Sequence, residues 1–426
     1  MVRPATSRLQ HELTAGSEDF VATLKGTPAR YFNVLDVGAA QVARAARSPA
    51  LPPSEVWLVA RTGSWPSSHL RTRLWLWRRC NAADLRSLHI ANRTCLGIAN
   101  VQKNSTDERC SGRCPQSIEF RGGIHLAHNA AWLAWGRRVL GIGGMFRSRG
   151  WITQPTAPGA FAFNVTSWQE MIHLGSVAGV STGGRRSGGS SNGSGGIGSI
   201  NLTPTLRGDH PGCVERRIEY ASAGCEFDGR FSVAATADGT VYVYARANLD
   251  AHAGGRHVQV AHGPSLAQLG PFRLIHIEGE IPASERPPWQ LYFGAVKANP
   301  ADGGRSLIGL FPLSHNSSSV HDAFIGLAIT CDGVHFSPML RAAESELSDD
   351  GDRTIDHPVD GLVFRGSHVH FFIHRDVPGI MPRPGSAREA RRHSHLARKT
   401  VHIKTLRAFT EDVKRSSRWC MGRRGV

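Results

Sequence analysis

The stretch "GCEFDGRFSVAATADGTVYVYARANLDAHAGGRHVQVAHG", Gly224 to Gly263, places charged residues directly before segments with the composition of β-strands. The segments "FSVAAT", "TVYVYARA" and "RHVQVAHG" are rich in β-branched and aromatic residues, and glycine-containing turns separate them, which is typical of antiparallel hairpins. Glu226, Asp228 and Arg230 come just before the first segment. Charged groups at the start of a buried strand either form a surface turn or line a site.

A similar pattern recurs downstream at regular spacing. Three markers of a first strand are evenly spaced along the chain: Asp228-Gly229, Gly294 and Asp360-Gly361. The turns that follow these first strands are spaced almost as evenly: Gly239, Gly303 and Gly366. Units of this length with four strands each are typical of a β-propeller. Because one such sheet cannot bury both faces alone, we expect neighbouring units to stack around an axis.

Two earlier units fit the same pattern with longer insertions. "YFNVL" places Asn33, and "IHLAHNAAWLAWG" places His128 and Asn129, where Asp228 lies in the clearer unit. The sequence therefore predicts an all-β fold, a five-bladed β-propeller with long surface insertions. The predicted organisation has three parts: an N-terminal flexible segment (1–25), the propeller (26–410) with a disordered loop (175–200) and a basic insertion (382–399), and a basic C-terminal tail (411–426). The last predicted strand of the propeller is "TVHIKTLRAF", Thr400 to Phe409.

The composition limits the classes of partner. The formal net charge of the 426-residue chain is +16, and 44 of the 50 basic residues are arginine. The basic residues are spread along the chain, and a GC-rich coding sequence accounts for the arginine excess as easily as phosphate contacts do. We therefore expect a solvated basic surface, no nucleic-acid partner and a monomer. Binding of acidic polymers stays open as a third, weaker interpretation. The apolar runs are too short to predict a membrane span, and the first residues show no signal peptide.

Cysteines and asparagines nevertheless suggest the secretory pathway. Eight cysteines include two candidate disulfide pairs: Cys110 with Cys114, and Cys213 with Cys225. The closely spaced pair has no second pair to complete a zinc site, so we predict no metal and no cofactor. Six of twelve asparagines begin an N-x-S/T sequon, against about 1.6 by chance. The sequons begin at Asn92, Asn104, Asn164, Asn192, Asn201 and Asn316. We expect a secretory-pathway or extracellular glycoprotein whose leader is missing, with a cytoplasmic protein as the alternative.

The propeller hypothesis gives the charged residues a common position. The first strand of each blade is innermost, so side chains at its start point into one central funnel. The candidate acid/base residues are Asp228, Asp360 and Glu226. The candidate substrate-binding residues are Asn33, His128, Asn129, Arg230, Arg246, His357 and Arg375. For Arg246 and Arg375, which end equivalent strands, a structural ion pair is the first interpretation and contact with a sugar is the second.

The segment Glu226 to Phe231, "EFDGRF", is similar to the E-D-P-R segment of five-bladed β-propeller glycosidases and glycoside phosphorylases. "YFNVL" resembles their first-blade F-N-P segment, and "AITCDGVHFSP" resembles the S-x-D-G-x-x-F outer turn of these propellers and of sialidases. The resemblance implies a glycan-active fold in which Asp228 orients or tunes the acid and Arg230 is its partner. This chain departs from the pattern at Gly229 and Val34, where the family has proline. The fourth unit has Gly294 at the position of the acid.

The predicted function is therefore that of a carbohydrate-active propeller, similar to glycoside hydrolases, which cleaves a glycosidic bond with funnel carboxylates. The alternative is a non-catalytic propeller that binds a glycan or a protein. Two carboxylates that face each other at roughly 5–10 Å would favour the enzyme.

Overall fold

The computed structural model describes residues 4–16, 18–23, 29–36, 56–62, 71–77, 117–121, 131–135, 138–143, 147–152, 170–176, 230–248, 256–264, 268–270, 272–279, 289–316, 321–348, 353–377 and 394–421. Strands dominate these residues, which confirms the all-β prediction. The helices are α1 (Pro4–Ala15), α2 (Ile403–Ser416), α3 (Arg418–Met421) and a 3-10 turn (Pro300–Asp302). Within the described residues, no helix is both long enough and apolar enough to cross a membrane.

The strands follow one another along the whole chain. In chain order they are β1 (Asp19–Thr23), β2 (Ala29–Asp36), β3 (Val56–Thr62), β4 (Arg71–Trp77), β5 (Ser117–Arg121), β6 (Ala131–Trp135), β7 (Arg138–Gly143), β8 (Arg147–Ile152), β9 (Glu170–Ser176), β10 (Ser232–Ala235), β11 (Val241–Asn248), β12 (Arg256–Gly263), β13 (Arg273–Leu274), β14 (His276–Ile277), β15 (Gln290–Leu291), β16 (Ala295–Ala298), β17 (Leu307–Asn316), β18 (His321–Thr330), β19 (His335–Phe336), β20 (Leu340–Glu344), β21 (His357–Arg365), β22 (His368–Arg375) and β23 (His395–His402).

The strands form four sheets. β6 to β9 and β10 to β13 are antiparallel meanders of four strands each. β14 to β20 form a seven-stranded sheet around the long β17–β18 hairpin. The eight-stranded sheet has the order β1-β23-β22-β21-β2-β3-β4-β5; β21 and β2 are parallel, and its other neighbours are antiparallel. It therefore consists of two four-stranded meanders that meet where Asn33 lies opposite Asp360.

Five strands, one from each predicted unit, contact one another in a cycle; we call them the inner strands. β2 contacts β21 and β6, β10 contacts β6 and β16, and β16 contacts β21. The end at which these strands begin is called the top face below. Buried side chains such as Tyr242, Val258 and Phe311 pack between the β10–β13 sheet and the β14–β20 sheet, so apolar residues fill the space between neighbouring sheets.

The prediction of a flexible segment over residues 1–25 is wrong. Leu9 and Leu13, one helical turn apart, are buried, so α1 packs one face on the protein. Glu12 accepts hydrogen bonds from the backbone N–H of His402 at 3.0 Å and from the hydroxyl of Thr405 at 2.6 Å. β1 then pairs with β23 and covers what would be an open sheet edge. Within the N-terminal segment, β1 is thus the outermost strand of the last predicted unit.

The prediction of a strand "TVHIKTLRAF" followed by a tail over 411–426 is also wrong in part, because the strand ends at His402 and α2 begins at Ile403. Apolar residues of α2 recur every three or four residues and are buried: Ile403, Leu406, Phe409 and Val413. A disulfide between Cys331 and Cys420 fastens the chain beyond α2 to the turn after β18. It closes a span of 89 residues, which restricts the unfolded chain. The predicted partners Cys110, Cys114, Cys213 and Cys225 lie outside the described residues.

Gly361 permits the junction between β21 and β2. Its φ is 138°, and a Cβ atom built there would lie 2.0 Å from the carbonyl oxygen of Val34 on the neighbouring strand. The register of β21 against β22 also shifts between Pro358 and Leu362, so the backbone bulges at this point. A side chain at Gly361 would therefore force the two inner strands apart.

We predict that Gly361→Ala lowers the free energy of unfolding by about 3 kcal/mol, because it adds both backbone strain and a steric clash. The matched control is Gly366→Ala. Gly366 has a φ of 57° but no atom within 4 Å of the added Cβ. This control should cost only about 1 kcal/mol. Urea denaturation of both variants checks the prediction, and equal losses would contradict a special role of the β2–β21 contact.

Candidate functional site

Aromatic and basic side chains meet at the top face. Arg230 lies two residues before β10, His357 begins β21, and Tyr292 and Phe293 precede β16. The Phe293 ring lies 5.2 Å from the His357 ring, and the guanidinium of Arg230 lies 5.1 Å from the Phe293 centroid. Tyr292 lies 5.2 Å from His357. The starts of three inner strands thus supply one cluster.

Arg230 is buried and connects three inner strands. Its Nη1 donates to the carbonyl oxygen of Pro358 on β21 at 2.8 Å, and its Nη2 donates to the carbonyl oxygen of Phe32 on β2. Burial of a guanidinium is costly unless it is hydrogen-bonded, and these carbonyls provide partners. The side chain therefore fixes the backbone that leads into β10, the strand that follows Glu226 and Asp228 in the sequence.

Asp360 lies below this cluster and is fully buried. Its Oδ1 accepts a hydrogen bond from the hydroxyl of Ser232 at 2.6 Å, and its Oδ2 accepts one from Lys297 Nζ at 2.9 Å. The hydroxyl of Ser232 accepts from the backbone N–H of Val296 at 2.9 Å, and Lys297 also donates to the carbonyl oxygen of Val233 at 2.8 Å. This polar group joins β10, β16 and β21 at the centre of the cycle.

Burial changes the pKa of Lys297 in this polar group. The pKa of Lys297 is lowered, and the main cause is burial, which disfavours the ammonium form. The charge of Asp360 and its hydrogen bond offset part of this effect, whereas the nearby charge of Arg230 lowers the pKa further. Lys297, Asp360 and Arg230 are thus electrostatically coupled, and the carboxylate is the counter-charge of buried cations.

Two further predicted residues, Asn33 on β2 and Arg246 on β11, have different surroundings. Asn33 is buried on β2, opposite Asp360. Arg246 lies at the same end of its sheet as Arg230, because β10 and β11 are antiparallel with Ser232 opposite Tyr244. Its guanidinium carbon is 5.2 Å from the Tyr292 centroid. Arg246 therefore faces the cluster at the top face.

Arg375 forms ion pairs at the end of β22. It donates to Glu18 Oε1 at 2.8 Å and to Asp356 Oδ2 at 2.7 Å. Although burial alone would lower the pKa of Arg375, these carboxylates raise it above its usual value. Glu18, Asp356 and Arg375 lie near β1, at the edge of the eight-stranded sheet. A cleft of about 250 Å³ at this place is lined by Asp356, Arg375 and His395 among other residues. This arrangement is the structural ion pair that was the first interpretation of Arg375 from the sequence.

Several predicted residues lie outside the described part of the chain: Glu226, Asp228, His128 and Asn129. The structure does place five others in or beside one group: Asn33, Arg230, Arg246, His357 and Asp360. Ser232, Lys297, Tyr292 and Phe293 were missed. Lys297 and Ser232 had a weak signal, because each is a polar residue within an otherwise apolar strand, "AVKA" and "SVAA". Among the described residues, no group of three His, Cys, Asp or Glu side chains is arranged to hold a metal ion.

Comparisons with known proteins give structural likenesses only. No family model matches the chain, and no curated protein sequence matches it. An N-acetylgalactosamine deacetylase from F. plautii, solved with blood group B trisaccharide, superposes with a TM-score of 0.45 and 8% identity over 92% of this chain and 94% of that one. An α-L-arabinanase from Penicillium chrysogenum gives a TM-score of 0.40 and 8% identity over 91% and 99%. An α-L-arabinofuranosidase from Fusarium graminearum gives 0.41 and 8% over 91% and 97%.

We predict that Lys297→Met lowers the free energy of unfolding by about 3–5 kcal/mol, because it leaves the buried carboxylate of Asp360 without its cation. The double variant Lys297→Met/Asp360→Asn should lose less than the sum of the two single variants, since both act on one interaction. The matched control is Lys404→Met on the exposed side of α2, which should change stability by less than about 0.5 kcal/mol. Chemical denaturation of the four proteins measures the cycle. Strict additivity would contradict the coupling.

Proposed function

We propose that the protein is a five-bladed β-propeller that cleaves a glycosidic bond at its top face. The proposed blades are β2 to β5, β6 to β9, β10 to β13, the β14–β20 sheet, and β21 to β23 with β1. The cycle of contacts among the inner strands supports this arrangement. The pairing of β1 with β23 supports it as well, because the first strand of the chain then completes the last blade and closes the ring.

The observation that carries the proposal is the anchoring of Arg230. Its hydrogen bonds to β2 and β21 hold the start of β10 at the centre of the top face. Only one residue separates Arg230 from Asp228, and three separate it from Glu226. We therefore propose that both carboxylates act at the top face. Tyr292, Phe293 and His357 are buried, so in the proposal they support the floor of the site from below.

The proposed roles follow from sequence position and charge. Asp228 and Glu226 are the acid/base candidates, because they are the carboxylates that come just before the anchored Arg230 in the sequence. Asp360 keeps a supporting role: it is fully buried and bonded to Ser232 and Lys297, which suits a fixed negative charge better than proton exchange with a substrate. The proposed substrate-binding residues are Asn33, His128, Asn129, Arg230, Arg246 and His357, whereas Arg375 is left out because it is bound to Glu18 and Asp356.

The second candidate is a glycan-binding propeller without catalysis. One observation favours it: the carboxylate that the described residues place at the centre of the cycle, that of Asp360, has both oxygens bonded to protein groups. Glycosidic cleavage by the usual route needs two carboxyl groups that flank the bond. The choice between enzyme and binding protein therefore rests on Asp228 and Glu226.

We predict that Asp228→Asn abolishes turnover of aryl glycosides, with a loss of at least about 100-fold in kcat, while the melting temperature stays nearly constant. Asp238→Asn is the matched control, since Asp238 is an exposed turn residue in the same unit. It should retain wild-type activity. A screen of aryl glycosides together with a glycan array supplies the substrate. Turnover that persists in Asp228→Asn contradicts the assignment, and glycan binding without any turnover by the wild-type protein favours the second candidate.

We also propose maturation in the secretory pathway, which the Cys331–Cys420 disulfide supports, because such bonds persist in oxidising compartments. We predict that the protein isolated from its native cells loses mass on treatment with an N-glycosidase, by one or more glycan units. Protein made in a cytoplasmic bacterial system is the control and should show no loss. An unchanged mass in the native protein would overturn the proposal.

A further inference from the structure

The β17–β18 hairpin extends beyond the top face. Leu310 of β17 lies opposite Ala295, the first residue of the inner strand β16, and β17 continues past this point to Asn316. Asn316 is opposite His321, the first residue of β18, so both strands share the extension. At about 3.3 Å per residue, the part from Leu310 to Asn316 is about 20 Å long. The hairpin therefore forms a wall beside the top face.

Trp289 lies on this wall. The strand that it precedes, β15, pairs with the extension through Gln290 and Ser314. The indole ring of Trp289 stacks on the ring of His315, with centroids 4.8 Å apart and planes inclined by 28°. It meets the ring of Phe324 edge to face, at 5.6 Å and 71°. Two strands of the hairpin thus support one indole ring.

The indole ring is fixed from below and accessible from outside. His315 and Phe324 are buried, whereas Trp289 is partly exposed. The two ring contacts hold the indole in one orientation, so it loses little conformational freedom when it binds a ligand. A fixed and partly exposed aromatic ring of this kind is a platform on which a flat or ring-shaped ligand can stack.

The surroundings of the ring indicate the kind of ligand. The hairpin beyond Trp289 carries polar side chains, among them the partly exposed Asn316 and the exposed His321. One aromatic ring bordered by hydrogen-bonding groups suits a sugar, which has an apolar face and hydroxyl groups. A protein partner needs a contiguous apolar surface that is much larger than one ring. The wall therefore fits a sugar unit better than a protein.

Trp289 is close to the buried cluster of Arg230, Tyr292, Phe293 and His357 but does not belong to it. Tyr292 follows Trp289 by three positions in the sequence, so their Cα atoms are at most about 11 Å apart. The Tyr292 ring lies 5.2 Å from the His357 ring, at the floor of the proposed site. A glycan chain with one unit above this floor can therefore reach the wall with a neighbouring unit.

We propose, as a refinement that rests on the proposed function, that Trp289 stacks on a sugar unit next to the unit bound above the buried cluster. The protein then binds glycan chains of several units more tightly than single sugars. Neither the repeat pattern nor the family resemblance assigns this role to Trp289. The stacked unit adds affinity without taking part in the cleavage, so Trp289 determines the preferred chain length.

The test begins with the wild-type protein. A glycan array that contains arabino-, xylo-, galacto- and manno-oligosaccharides selects the sugar. Isothermal titration then compares the monosaccharide of this sugar with chains up to the hexasaccharide. We expect the affinity to rise about 10-fold when the chain becomes long enough to reach Trp289, and to change little with further units.

Trp289→Leu should weaken binding of the long chains about 10-fold and leave binding of the monosaccharide unchanged. Trp289→Phe should retain part of the gain, because it keeps a smaller aromatic face. The matched control is Trp419→Leu. Trp419 is also partly exposed, but a disulfide of its neighbour Cys420 fastens α3 to the turn after β18, at the end opposite the top face. Melting temperatures of all variants exclude loss of folding as the cause.

The outcomes separate this inference from the proposed function. Equal affinity for the monosaccharide and its longer chains overturns the inference and leaves the glycan-active propeller intact. A preference for long chains that persists in Trp289→Leu overturns the assignment to Trp289. A wild-type protein that binds no glycan on the array overturns both proposals.

Discussion

The arrangement of the inner strands depends on polar side chains that cross between them. Neighbouring inner strands share few backbone hydrogen bonds, and β2 and β21 are joined by the parallel pair of Asn33 and Asp360. The side chains of Arg230, Ser232 and Lys297 make further connections, to carbonyl oxygens and to the carboxylate of Asp360. Because these groups are buried, they are costly to leave unpaired, and this cost favours one relative placement of the strands.

The same constraint explains why Asp360 is buried rather than exposed to a substrate. Its neighbour Gly361 lets β21 approach β2 so closely that no Cβ fits between them. The bulge between Pro358 and Leu362 lets the strand depart from regular pairing with β22 at the same place. The carboxylate of Asp360 therefore contacts Lys297 instead of solvent. In this unit, the repeat position, occupied by Asp360, is therefore a structural one. The proposed catalytic role belongs instead to Asp228, at the equivalent position of another unit.

Local patterns predicted much of the fold. Alternating apolar residues between glycine turns located β11 and β12 almost to the residue, because strand formation and turn chemistry are properties of short segments. The helix α2 was missed although its apolar residues recur at helical spacing, since "TVHIKTLRAF" also has the β-branched and aromatic composition of a strand. The packing of α1 and the pairing of β1 with β23 depend on contacts with the opposite end of the chain, and no short pattern encodes them.

The candidate site was predictable only in part, for a related reason. Residues at the start of inner strands, such as Arg230 and His357, were found because the repeat gives their position along the strand. Tyr292 and Arg353 lie in connecting segments, where the repeat gives no register, and only the folded chain brings them together. Specificity in propellers is expected to arise in such segments, because the strands are constrained by packing and the connections are not. A scaffold whose inner strands are tied by the buried Lys297–Asp360 pair can thus keep these strands fixed while its connecting segments vary.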